Sequence, residues 1–402
     1  MSRLVVGHVT PSTACLWVRG ERKNKSAKLS YRKAGAGAWS TVTGELEPHR
    51  DFTAVITIED LAPDTAYECK LAYAAGEAKG VTTGGFRTAP RDPRDVTFVV
   101  ASCNYANLTV FTSGNVDRAW TSIRGLAQAS DADFMLHCGD QIYADLPGVP
   151  FPDLPYYQEQ YKDTWDNPNT ARLLASIANY MMLDDHEIFD GFANDVDWFW
   201  RPSQPVRNAA LEAYRQYQHA HNPQSYPSPA LYYKFAYGGV QFFALDVRSE
   251  RFKTNDPQMI STVQMDAFMR WLDEHAAEPK FVVSSIPFVA EVRDRDDKWC
   301  GDQFRLQREA LIDTLVEKQV GRLCFLTGDM HSSYHMTMTI TPPPAAARAP
   351  FTIHELMASP INQYPGGSSG FIDAPRAQTT AGGCTKDVAR LRTDARLRVQ
   401  TP

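Results

Sequence analysis

Long hydrophobic runs are missing from this sequence: no apolar stretch approaches the ~20 residues that a membrane span requires. A secretory leader is missing too, because Met1-Ser2-Arg3-Leu4-Val5 runs directly into strand-like sequence with no twin-arginine segment. The expectation is a cytoplasmic protein, or an exported one if the chain was trimmed. Cysteine is too sparse and irregular for a disulfide framework: there are seven, an odd number. Mostly buried thiols are expected. Nor is there an excess of positive charge, since 41 Lys and Arg face 47 Asp and Glu for a formal charge of −6. That balance argues against a nucleic-acid binder working through a basic surface. An acidic chain that handles phosphate needs cations from another source, and metal ions are the obvious one.

What is present is an ordinary globular composition, 43% hydrophobic and 22% charged over 402 residues. The length allows two or three domains, each able to bury a core. Residues 1–90 alternate short β-rich runs with turn signals at roughly 8–12-residue spacing, which predicts a small all-β sandwich of the immunoglobulin or fibronectin III type. Ala89-Pro90-Arg91-Asp92-Pro93-Arg94 reads as a linker. From Val96 the pattern changes to apolar runs alternating with helical stretches, so residues 91–360 are expected to form an α/β domain. Helices are expected over 118–129, from Ala209 to Tyr217 and from Ser261 to His275. The last places Met265, Phe268, Met269 and Leu272 on one face. The stretch 190–238 reads as an insertion. Residues 361–402, rich in Gly, Ser and Arg, are expected to be a loosely ordered tail or a basic lid formed by Lys386 to Arg398.

Four apolar runs end in side chains that can bind metal. Thr97–Ala101 leads to Ser102-Cys103-Asn104, and Phe134–Cys138 to Gly139-Asp140-Gln141-Ile142-Tyr143. Asn179–Leu183 leads to Asp184-Asp185-His186-Glu187, and Leu323–Leu326 to Gly328-Asp329-Met330-His331. Open α/β sheets bind ligands outside the carboxyl ends of their strands. Singly, each ending has an ordinary explanation: a strand-end Asp caps a turn, a buried Cys acts as a small hydrophobe, and a lone His is a hydrogen-bonded core residue. Four together fit chance poorly.

Ser-Cys-Asn, Gly-Asp-x-x-Tyr, Asp-Asp-His-Glu and Gly-Asp-x-His, in this order, resemble the PhoD-like alkaline phosphatase/phosphodiesterase family. That family is a branch of the calcineurin-like metallophosphatases, with a site similar to that of purple acid phosphatases. The resemblance covers roughly residues 1–360 and implies a two-sheet α/β metallophosphatase sandwich behind the β-sandwich domain. It implies one metal among Cys103, Asp140, Tyr143 and His331, and a second held by Asp140, Asp185 and Asp329. It also places His186 beside the phosphate as a donor, with Glu187 orienting it or binding solvent. Thiolate, phenolate and imidazole suit Fe(III), and carboxylates suit Ca²⁺. Those two ions rank ahead of Zn²⁺ or Mn²⁺, and they just balance the five anions Cys103, Asp140, Tyr143, Asp185 and Asp329. Two positions depart from the wider superfamily: Ser102-Cys103 stands for an Asp-x-His, and Val282-Val283-Ser284-Ser285-Ile286-Pro287 carries no histidine. Arg248, at a strand end, is expected to clamp phosphate, with a surface salt bridge or a packed stem as the equal alternative. Arg251, Trp299 and Arg308 are ranked behind it.

The expected activity is metal-assisted hydrolysis of a phosphoester, with catalytic roles for His186, Asp140 and Arg248. The alternatives are a metallo-hydrolase of the same fold acting on another ester or a nucleotide, and a non-catalytic binding protein braced by metals. The sequence does not specify oligomeric state or preference between monoester and diester.

Overall fold

The computed structural model describes residues 4–73, 81–105, 117–146, 153–197, 203–292, 296–362, 372–373, 378–380 and 382–391. Seven short runs rich in β-branched and aromatic residues become strands β1 (Leu4–Val9), β2 (Ala14–Arg19), β3 (Ser26–Lys33), β4 (Ser40–Glu45), β5 (Thr53–Ile58), β6 (Ala66–Tyr73) and β7 (Thr82–Arg87). They pair antiparallel in two sheets, β1-β2-β5 and β4-β3-β6-β7. Leu16, Val18 and Ile56 of the first sheet and Leu29, Leu71 and Phe86 of the second are buried in one core cluster. The sandwich is docked by polar contacts from several strands. Asn179 Nδ2 donates to Val6 O at 3.2 Å, Trp17 Nε1 to Gln216 O at 2.8 Å, and Gly85 N to Ala175 O at 2.8 Å. At Gly84 a Cβ would stand 2.3 Å from Ala175 O, so only glycine permits this approach.

The remainder alternates strand and helix. Its elements are β8 (Phe98–Ala101), α1 (Asp117–Ala129), β9 (Phe134–His137), α2 (Leu154–Trp165), α3 (Pro168–Leu174), β10 (Ala178–Met181), α4 (Ser203–Tyr217), β11 (Tyr233–Tyr237), β12 (Val240–Ala244), α5 (Thr262–Glu274) and β13 (Lys280–Val283). There follow β14 (Glu291–Val292), α6 (Arg305–Glu317), β15 (Leu323–Thr327), β16 (Ser333–Thr341), β17 (Phe351–Ala358), β18 (Ile372–Asp373), β19 (Gln378–Thr379) and β20 (Thr385–Leu391). One sheet is parallel, in the order β10-β9-β8; the other has eight strands, β11-β12-β13-β15-β17-β16-β20-β19, with β12, β13, β15 and β17 parallel. The two sheets face each other through aromatic rings. Phe98 meets Phe242 and Phe281 edge-on at 5.5 and 5.3 Å between centroids, Phe134 meets Phe242 at 5.4 Å, and Tyr180 stacks on Phe235 at 4.0 Å. Such pairs each add about 0.5–1.5 kcal/mol beyond their buried area. They fix the relative position of the sheets whose ends carry the site.

Helix α5 starts where expected, with Ser261 Oγ accepting the Gln264 N–H at 3.2 Å. Its buried face is turned from the expected one: Gln264, Ala267, Phe268, Trp271 and Leu272 are buried, while Met265 and Met269 lie at the rim. The Trp271 ring takes the core position, 5.4 Å from Phe243. The expected insertion over 190–238 contains α4 and the edge strand β11. The expected loose tail contains β20, which pairs along β16 and buries Val388 opposite Met338. Its charged composition hides it because Lys386 is itself buried, 3.9 Å from Glu291. Most of the proposed basic lid, residues 392–398, lies outside the described residues. Among the described residues no helix is long and apolar enough to cross a membrane.

Candidate metal centre

The site lies where the carboxyl ends of the two sheets meet. Cys103 follows β8, Asp140 follows β9, Asp184 and Asp185 follow β10, Ser285 follows β13, and Asp329 and His331 follow β15. Each chain turns sharply as it leaves its strand. Cys103, Asp140, Asp329 and His331 have φ of 60°, 55°, 71° and 44°, a left-handed conformation that costs non-glycine residues of order 1–3 kcal/mol. Gly139 (φ 87°) is needed just before Asp140: a Cβ there would lie 2.3 Å from the Cβ of Asp184.

Donor atoms of Cys103, Asp140 and His331 lie within 4.8 Å of one another. The same holds for Asp140, Asp185 and His186, and for Asp184, Asp185 and Asp329. Asp140 belongs to two of these groups, as a bridging ligand must. Tyr143 Oη donates to Asp140 Oδ2 at 3.2 Å and lies 3.3 Å from His331 Nε2. All six residues expected from the sequence to ligate metal are therefore gathered here, with His186 among them.

Burial governs their protonation in the absence of a cation. It pushes the Cys103 thiol well above its ordinary value, with the Asp140 charge adding to it, and it pushes Asp140 up among the neighbouring carboxylates. Burial raises Asp184 to about 7 although Arg248 opposes it. The His331 imidazole is lowered to about 4 by burial and by His186. For Asp185, burial is outweighed by Arg248, His186 and Lys298, and its carboxyl lies below the usual range. A cation held here would take the Cys103 thiol and the Asp140 carboxyl in their deprotonated forms. The residues fit such ions: Asp184 Oδ2 and Asp185 Oδ1 are buried without a hydrogen-bond donor. Sulfur, phenol and imidazole are grouped on one side and carboxylates on the other.

The carboxylate side is held by built-in cations. The buried Arg248 guanidinium binds Asp184 through Nε and Asp297 through Nη1 at 3.0 Å, and its Nη2 lies 3.3 Å from Asp329 and 3.4 Å from Asp185. Lys298 Nζ lies 2.7 Å from both Asp297 and Asp329. Arg251 lies 3.7 Å from Asp297. Four carboxylates thus face three cationic groups, and with Asp140 beside them the remaining deficit of two charges suits a divalent ion.

The PhoD-like phosphatase family matches residues 98–393. The chain belongs to that family. This PhoD-like phosphatase is also similar in fold to the solved structure of PhoD, with a TM-score of 0.72 and 18% identity over 91% of this chain and 77% of that one. A purple acid phosphatase from yellow lupin (Lupinus luteus) seeds gives a TM-score of 0.56 and 11% identity over 96% of this chain and 69% of that one. Among curated proteins, no sequence matches the chain. The family is one of phosphoester hydrolases, and the architecture is the metallophosphatase sandwich behind an all-β domain.

Several roles in this phosphatase differ from the sequence reading. Glu187 does not orient His186. It is fully buried and accepts the N–H groups of Asp140 (3.1 Å), Gln141 (2.7 Å) and Asp184 (2.9 Å) and Nε2 of Gln218 (2.9 Å). His186 is oriented instead by Asp145, whose Oδ1 lies 2.8 Å from Nδ1, and by the Tyr143 ring stacked on it at 4.1 Å. Arg248, expected to clamp phosphate, is buried with its nitrogens facing Asp184, Asp185, Asp297 and Asp329. Arg308 ties α6 to Phe288 O, Val289 O and Glu291, and Trp299 packs edge-on against Phe288. Asp184, Asp145, Asp297, Lys298 and Ser285, which donates to Asp184 at 2.6 Å, received no role from sequence. Asp184 was visible in Asp184-Asp185-His186-Glu187. The others lie outside any of the four motifs.

Proposed function

We propose that the crevice hydrolyses phosphoesters at neutral to alkaline pH. Its metals are Fe(III), held by Cys103, Asp140, Tyr143 and His331, and Ca²⁺, held by Asp140, Asp185 and Asp329. The observation that supports this reading is the gathering of the Cys103 thiol, the Tyr143 phenol, the His331 imidazole and carboxyls from separate strands beside His186. When bound, the metals supply Lewis acidity and lower the pKa of water.

The chain's own residues do the rest. His186 is the general acid. Burial alone lowers its pKa, but Asp145, paired with Nδ1, and Asp140 outweigh that and raise it. With Nδ1 tied to Asp145, the proton available to the leaving oxygen is on Nε2. Tyr143 stacks on the ring, and Tyr105, 5.0 Å from Tyr143, extends that wall. Glu187 fixes the backbone of Asp140 and Asp184, so the ligands need little reorganisation.

The test is to strip metals with a chelator, restore them singly and together, and measure turnover of a phosphate monoester and a diester. Activity should vanish with the metals and return with iron and calcium. His186→Asn should retain metal but lose about 10²-fold or more in kcat. Hydrolysis that survives full metal removal contradicts the proposal.

A further inference from the structure

A second site lies at the junction between the β-sandwich and the α/β domain and shares no residue with the metal centre. It is a groove of about 390 Å³ between strand β5 and the end of helix α4, lined by Arg50, Thr53, Arg215, His219, Gln224 and Ser228. Ala54, Ala220 and Ala230 supply apolar wall.

Its charge is unbalanced. Arg215 has no hydrogen-bond or ion-pair partner among the described residues. The only ion-pair partner of the Arg50 side chain among them is Glu47 at 4.0 Å. Glu47, the one acidic residue in the lining, is nearer to His49, at 3.3 Å. The acidic groups behind the groove are already used. Asp51 is bound by Arg19 at 2.9 Å and by the Tyr217 hydroxyl, and Glu212 accepts Gln216 Nε2 at 3.0 Å. Nδ1 of His219 is enclosed without a hydrogen-bond partner. Two guanidinium groups with free donors, the Ser228 hydroxyl and an enclosed imidazole make a receptor for an oxyanion, because guanidinium matches phosphate or carboxylate oxygens bidentately. The volume is within the range of small-molecule pockets and exceeds what a bare phosphate fills, so there is room for an organic body against the alanines.

We infer that this groove binds a small organic oxyanion, with the anionic group held between Arg50 and Arg215. The same helical turn carries Gln218, whose amide reaches Glu187 at 2.9 Å, so the ligand would sit on the turn that braces the metal ligands.

The experiment is calorimetric titration with inorganic phosphate, phenylphosphonate and benzoate, using full-length Asp140→Asn so that the metal centre does not contribute. One saturable site for phenylphosphonate is expected, tighter than for inorganic phosphate. Benzoate binding equally well would assign the site to carboxylates, within the same oxyanion class. Arg215→Ala in that background should weaken binding about tenfold or more, and Arg215→Lys should recover part of it. If Asp140→Asn does not fold, the metal-loaded enzyme should bind two phosphates per chain and its Arg215→Ala variant one. No saturable binding, or binding that a folded Arg215→Ala variant leaves unchanged, overturns the inference.

Discussion

Asp145 Oδ1 lies 2.8 Å from Nδ1 of His186, and the other Asp145 oxygen accepts the Asp190 N–H at 2.8 Å. The carboxylate is thus fixed at both oxygens and can set both the tautomer and the charge of the imidazole. Asp145→Asn removes the charge that does most to keep the His186 pKa high. A general acid is active while protonated, so activity falls as pH rises through its pKa. The substitution should move the alkaline limb of the kcat profile to lower pH and reduce kcat about tenfold or more, with little change in KM. Steady-state pH profiles of both proteins check this.

Glu187 holds the backbone N–H groups of Asp140, Gln141 and Asp184 in place. Glu187→Gln keeps its size but replaces one acceptor oxygen with a donor, facing N–H groups that already need acceptors. Metal affinity should fall about 10–100-fold, as for other residues that orient ligands. Competition with a chromogenic chelator measures it, and an unchanged affinity would remove Glu187 from the account.

Arg248 neutralises carboxylates in place. Arg248→Met would leave buried Asp184 without its main partner and Asp297 with one cation fewer, a loss of about 3–5 kcal/mol. Urea denaturation should show it as a lower midpoint with little change in slope. A protein of normal stability that only binds substrate less well would return Arg248 to the role of phosphate clamp.

Asp195 accepts the N–H groups of Lys253 (2.7 Å), Thr254 (2.6 Å) and Asn255 (2.8 Å) and so secures the loop following Arg248 and Arg251. Burial acts against its charge, but these donors hold its carboxyl below the ordinary range. A depressed folded pKa gives stability that is present above the unfolded value and lost as pH falls through the folded one. The group is partly exposed and screened, so Asp195→Asn should cost about 1 kcal/mol at neutral pH. The difference in Tm from wild type should shrink as pH drops below about 4.

The residues that converge on the crevice were legible because of how parallel strands end. An apolar run that ends in a metal-competent side chain marks both the strand and the crevice it opens on, and Cys103, Asp140, Asp185 and Asp329 all follow that rule. Asp145 and Asp297 do not: they lie in loops, and only tertiary folding brings them to His186 and Arg248. Arg248 was legible in position, but the sequence does not say how many carboxylates will surround a buried guanidinium. Strand β20 escaped for a related reason. Lys386 occupies an inward position and is buried beside Glu291, so the alternation that would mark a strand is broken. Asp184 stood in plain view beside Asp185 but received no role from the sequence.

Whether the four strand ends form one working metal centre is tested most directly at Asp140, the residue shared by the Cys103–His331 group and the Asp185–His186 group. Element analysis and phosphoester turnover on wild type and Asp140→Asn, purified side by side, give the answer. Wild type should carry metal and hydrolyse substrate, while the variant should fold, lose most of its metal and show no turnover. A variant with full metal content and undiminished hydrolysis would contradict the account.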